Sequence, residues 1–110
     1  MRTNELKGAA LDWAVSKCEG NEIVIRKGYL WIPTECYSTD WAQGGPIIER
    51  ERLEIAAIDH DFDDDSWASY TEDGRHAMYA EEPLVAAMRC YVISKLGANI
   101  DIPRELLCEH

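Results

Sequence analysis

Apolar positions recur at helical spacing near both ends of the chain and alternate over shorter runs between them. In NELKGAALDWAVSKCEG, from Asn4 to Gly20, Leu11, Ala14, Val15 and Cys18 share one face at steps of three and four, with Leu6, Ala10 and Trp13 on the adjoining face. Gly20 supplies a C-terminal stop. The wide, alanine-rich stripe predicts a helix packed closely against another element. In EEPLVAAMRCYVISKLG, from Glu81 to Gly97, one stripe is traced by Leu84, Ala87, Met88, Tyr91, Val92 and Lys95. Pro83 suits a first turn, Glu81 and Glu82 sit beside the positive end of the helix dipole, and Gly97 follows the last turn.

The middle of the chain reads differently. EIVIRKGYLWIP is β-branched and aromatic on both sides of Lys27-Gly28, which predicts a short hairpin closed by Pro33. Leu53 and Ile55 continue an alternation that favours a strand, although Pro46 could also open a helix across IIERERLEIAAI. The strand is the preferred reading. NIDIP then predicts a last short strand and RELL a terminal turn. Two main helices packed on a small, mostly antiparallel sheet make an α+β fold, with residues 1–110 as a single domain. The chain has no internal repeat and no low-complexity linker.

Charge narrows the partners. The chain of 110 residues is 46% hydrophobic, enough for a core, and carries a formal charge of -10. Residues 49–82 hold 12 acidic and 3 basic side chains, so nearly all the excess belongs to one segment. Such a balance argues against direct binding to nucleic acid or to an anionic membrane, both of which attract cations. A solvated acidic face is one use of the segment; docking a basic surface is the other. Glu5, Lys7 and Asp12 interrupt any secretory h-region, and no apolar run is long enough to span a bilayer, so a cytoplasmic protein is expected. Cys18, Cys36, Cys90 and Cys108 are then expected as thiols, with Cys18 and Cys90 as small apolar fillers on helices. None forms a CxxC pair, and Cys108 with His110 is the one close pairing of such ligands, so no metal site is expected.

One stretch is denser in recognition chemistry than core building requires. YSTDWAQGGPIIERE, residues 37–51, brings together Tyr37, Ser38, Thr39, Asp40, Trp41, Gln43, Gly44, Gly45, Glu49, Arg50 and Glu51. As a plain loop, it would have Tyr37 and Trp41 plugging the core, Asp40 or Thr39 capping a turn, and the glycines at positive φ before Pro46. As a recognition loop, it offers aromatic anchors and multidentate donors in Tyr37, Trp41, Gln43 and Arg50. Gly44-Gly45 would allow close approach to the backbone.

Catalytic motifs are missing. Gly44-Gly45-Pro46 lacks the Lys-Ser or Lys-Thr pair of a phosphate loop, and there is no GxSxG elbow. His60, His76 and His110 are scattered among polar residues, as surface side chains would be. Glu49 and Glu51 would share a face if extended, as paired carboxylates for acid-base work do, but the interleaved Arg50 and Arg52 suit cross-strand salt bridges equally. Asp61, Asp63, Asp65, Ser69 and Glu72 match positions of a calcium loop, whereas Ser66 stands where its sharp turn needs glycine. A solvated acidic loop explains the same aspartates. No cofactor is expected.

ELKGAALDWAV, YSTDWAQGGPIIERE and PLVAAMRCYVISKLG, with a following strand and IPREL, resemble the NinX-like family of small proteins of lambdoid phages and enterobacterial prophages. The resemblance covers the first helix, the central stretch and the last helix. It implies a phage accessory protein made in the bacterial cytoplasm and implies no reaction. Similar members carry Gly with Thr or Ser before the Pro-Leu of the last helix, where this chain has Ala80, Glu81 and Glu82. The leading expectation is a non-enzymatic module that binds a bacterial or phage protein through residues 37–51, alone or together with the acidic segment; mimicry of DNA charge is a special case. A second copy of the chain is a further candidate partner. The alternative is a small-molecule-binding domain or small enzyme, with Asp40, Glu49 and Glu51 as carboxylates and Arg89 as an anion contact. It requires a concave pocket where the central stretch meets the last helix.

Overall fold

The computed structural model describes residues 1–20, 25–26, 29–30, 36–58 and 66–102. After a 3-10 turn at Thr3–Glu5, the elements run α1 (Gly8–Cys18), β1 (Ile25–Arg26), β2 (Tyr29–Leu30), α2 (Trp41–Glu51), β3 (Glu54–Ala57), β4 (Trp67–Tyr70), β5 (Ala77–Ala80) and α3 (Pro83–Leu96). The fold is α+β, with three described helices where the sequence pattern predicts two.

α3 is the centre of the molecule. It packs against α1, α2, the 3-10 turn and all three strands of the β3-β4-β5 sheet. Its predicted stripe is buried from Leu84 to Val92, and Ala86 and Cys90 are buried as well, so little of its circumference meets solvent. Lys95 alone leaves the stripe for the surface. Burial of this apolar surface, at about 25 cal/mol per Å², is the main force joining the layers. The core cluster combines Leu6, Leu11, Trp13, Val15, Tyr37, Ile47 and Leu53 with the α3 residues.

Both predicted helices end as expected. Gly20 takes φ 79° after α1, and Gly97 takes φ 89° after α3, a backbone region open to glycine. The hairpin is present as Ile25 opposite Leu30 and Arg26 opposite Tyr29. The β3-β4-β5 sheet is antiparallel, with Ile55 opposite Ser69 and Ser69 opposite Met78.

Two expectations are corrected. Residues 41–51 form a helix, and the strand begins only at Glu54. Pro46 lies inside α2, removing the bond its N–H would give to the Ala42 carbonyl. Ala42 and Pro46 both face solvent, so water can take that carbonyl, and buried Ile47 anchors the opposite face. The expected strand at 99–103 is, over its described residues, a bridge between Arg2 and Asn99 with Ile100 N–H bonded to the Met1 carbonyl. Thr3 completes that clasp: its hydroxyl donates to Gly97 O at 2.6 Å and its N–H to Ala98 O at 2.8 Å. The expected terminal turn lies outside the described residues.

Candidate functional site

Residues 37–51 begin with a tight turn and continue as α2. Asp40 is the N-cap: its Oδ1 accepts the Ala42 N–H at 2.9 Å and its Oδ2 accepts from Gln43 Nε2 at 3.0 Å. Gln43 Oε1 in turn accepts the Cys36 N–H at 3.0 Å. These bonds hold the Asp40 carboxyl below its usual range, the Gln43 bond first. Ser38 N–H donates to the Asp12 carboxylate of α1 at 2.8 Å, which fixes the turn to the first helix.

α2 separates its residues into two faces. Trp41, Ala42, Pro46 and Glu49 are exposed, and a 100° step puts them, with Gly45, on one side. Trp41 is 52% exposed, whereas Tyr37 is buried in the core. On the other side lie Gly44 and Ile47. The glycines are helical rather than at positive φ. Gly44 serves close packing, since a Cβ there would collide with the Tyr37 carbonyl oxygen and stand 2.7 Å from Leu84 Cδ1, whereas one on Gly45 would meet open space. Glu49 and Glu51 do not share a face: two helical residues turn about 200°, so Glu49 points outward and Glu51 toward α3.

Arg50 is held inside a cluster that joins the three helices. Its Nη1 and Nη2 donate to the two Glu19 carboxylate oxygens at 3.1 and 2.6 Å, its Nε donates to Glu51 at 2.9 Å, and Nη2 also donates to Tyr91 Oη at 3.0 Å. Tyr91 donates its hydroxyl to Glu19 at 2.5 Å, and Lys95 lies 3.3 Å from Glu51. The Arg50 hydrogen bonds hold both Glu19 and Glu51 below the usual carboxylate range. Burial, then the Glu19 bond, pushes the Tyr91 phenol up. Cys18 beside this cluster is pushed up to about 11 by burial, which keeps it a protonated filler; burial raises Cys90 likewise.

Arg89 and the start of the central stretch meet elsewhere. Arg89 Nε donates to Leu6 O and Nη1 to Tyr79 O, both at 2.7 Å, and the side chain forms one wall of a cleft of about 320 Å³. Ser38 and Thr39 line it from the turn before α2, Lys7 and Gly8 from the start of α1, Ala80 from the end of β5, and Glu81, Glu82 and Val85 from the approach to α3 and its first turn. Sequence reasoning selects Ser38, Thr39 and Arg89 but misses Lys7, Gly8, Glu81 and Glu82, whose neighbourhood exists only once the helix starts are packed together.

Asp61, Asp63, Asp65, His60 and His110 lie outside the described residues. Ser69 is buried in β4, and Glu72 pairs with Arg52 at 3.2 Å. Among the described residues no three His, Cys, Asp or Glu side chains are grouped to hold a metal ion, and no helix is long and apolar enough to cross a membrane.

A family model described as Bacteriophage P22, NinX matches residues 2–95, running through the hairpin and the acidic segment as well as the helices. No curated protein matches the chain.

Proposed function

The chain belongs to the bacteriophage P22 NinX family and is a phage accessory protein, and from that premise we propose that it acts as a non-enzymatic interaction module in the host cytoplasm. The docking surface is the outer face of α2, centred on Trp41. One observation carries this reading: Trp41 stands 52% exposed beside exposed Ala42 and Pro46, while Tyr37 is in the core and Gln43 and Arg50 are bonded within the protein. A large aromatic side chain left in water at the capped start of a helix is the type of anchor that fills a pocket on a partner. The net charge of -10 favours a neutral or basic partner surface around that pocket.

The test is capture from lysate of phage-infected host cells with wild-type protein and the Trp41→Ser variant, after equal melting temperatures have been verified. A stoichiometric partner held by wild type and lost by W41S is the expected result. Capture of the same partners by both proteins would remove α2 as the docking face.

A further inference from the structure

The three-stranded sheet ends on β3, and among the described residues no strand pairs with its outer edge. In an antiparallel ladder every second residue turns its N–H and C=O toward the neighbouring strand, and the residues between turn theirs away. Ile58 N–H donates to Ser66 O at 2.9 Å, and with Ala56 opposite Ala68 and Glu54 opposite Tyr70 that parity directs Glu54, Ala56 and Ile58 toward β4. The N–H and C=O groups of Ile55 and Ala57 therefore point outward, and among the described residues nothing bonds to them. β5, the other end strand, is partly closed, because the Tyr79 carbonyl accepts from Arg89 Nη1 at 2.7 Å. β3 has no proline, lysine or bulge to blunt its edge.

Charge selects what can lie there. Ile55 packs against the core, in one row with Ser69 and Met78, so Glu54 and Ala56 lie on the sheet face turned away from α3. Glu54 is exposed, with no ion pair among the described residues, and the Ala56 row continues through Ala68 to the exposed Tyr79. β3 also belongs to residues 49–82, which hold 12 acidic and 3 basic side chains. All three of those cations are matched within the protein, Arg50 by Glu19, Arg52 by Glu72 and Arg75 by Asp73. A second copy of the chain would bring a further charge of -10 to the same edge.

We infer that the outer edge of β3 takes an extended, cationic segment of another protein as an added strand. The main chain of Ile55 and Ala57 supplies the hydrogen bonds, which give affinity without reading sequence, and alternate side chains supply the selection. The segment carries Lys or Arg opposite Glu54 and an apolar residue opposite Ala56, two positions apart on one face. This edge is on a different element from Trp41, so it stands or falls apart from the α2 docking face.

The experiment is titration of the ¹⁵N-labelled protein with the peptide Lys-Thr-Val-Thr-Lys-Thr-Val-Thr, with the same peptide carrying Glu for Lys, and with an N-methylated form that cannot pair as a strand. Saturable shifts at the Ile55 and Ala57 amides, with slowed hydrogen exchange at both, are expected for the lysine peptide. The glutamate peptide should bind about tenfold more weakly, and the N-methylated form should not bind. Glu54→Lys, a change at an exposed side chain, should narrow the gap between the two charged peptides. Ala57→Pro, which removes an outward N–H and no bond to β4, should abolish binding, whereas Trp41→Ser should leave it unchanged. Equal binding of the lysine and glutamate peptides would overturn the choice of a cationic segment, and undiminished binding of the N-methylated form would overturn strand addition. Absence of saturable shifts at Ile55 and Ala57, or shifts there that depend on protein concentration without any peptide and so report a second copy, would overturn the inference as well.

Discussion

The two ends of α2 use similar chemistry for opposite purposes. At its C-terminal end Arg50 and Glu51 are clasped by Glu19, Tyr91 and Lys95, so three helices are tied by charges whose partners lie within the protein. At its N-terminal end Asp40 and Gln43 satisfy the backbone and leave Trp41 standing free. An arginine and a tryptophan are both good contact residues by type. Their use is decided by whether neighbouring elements bring matching groups within reach, and only the Arg50 end has such neighbours.

The sharpest way to break this division is to disturb the packing under α2. Gly44→Ala should cost about 1–3 kcal/mol, measured by urea unfolding, because the added Cβ overlaps the Tyr37 carbonyl and Leu84. Gly45→Ala, one position on and facing open space, should stabilise by about 0.5–1 kcal/mol through helix propensity. Equal effects at the two positions would mean that α2 does not pack as described.

Next in size is the clasp. Arg50→Ala should cost about 1–2 kcal/mol, with the charged hydrogen bonds discounted for the half-exposed guanidinium. It should also change the acid limb of stability. Glu19 and Glu51 are held below 4.5 in the folded protein, so their contribution is present above about pH 4.5 and is lost as pH falls through the lowered folded values. The Tyr91 phenol is raised from 10, so its contribution holds below pH 10 and fades above it. R50A should flatten the acid limb in pH-dependent denaturation; an unchanged limb would sever the clasp from stability.

Smaller effects belong to the free end. Asp40→Ala should cost about 1 kcal/mol as a lost N-cap, read by thermal unfolding. Trp41→Ser should change stability by less than about 1 kcal/mol, as surface substitutions do, while abolishing capture of the partner. A large loss of stability in W41S would place Trp41 with the clasp rather than apart from it.

α1 and α3 are legible in the sequence because their stripes repeat at three and four residues and end on Gly20 and Gly97, so local and tertiary signals agree. α2 is obscured because Gly44, Gly45 and Pro46 each disfavour a helix locally, by about 1 kcal/mol for glycine and about 3 for an interior proline. The Asp40 cap, buried Ile47 and close Gly44 packing outweigh them, and only the cap is visible in a linear reading. Its end is equally hidden, since Arg52 takes φ 54° where glycine is the usual signal. The cleft could be anticipated at Ser38, Thr39 and Arg89, which the central stretch and last helix supply. Its charged walls could not, because Lys7 and Glu82 are far apart along the chain.

The position of α3 also orders events during synthesis. It is the last helix described, yet α1, α2 and the β3-β4-β5 sheet are all packed against it. A nascent chain that has released α1 and α2 from the ribosome still lacks α3, the element against which both are packed. The clasp of Thr3 onto Gly97 and Ala98 waits longer still. Folding is therefore a late, nearly all-at-once event on each chain, and the first half of the protein is exposed to host proteases and chaperones until the last helix arrives.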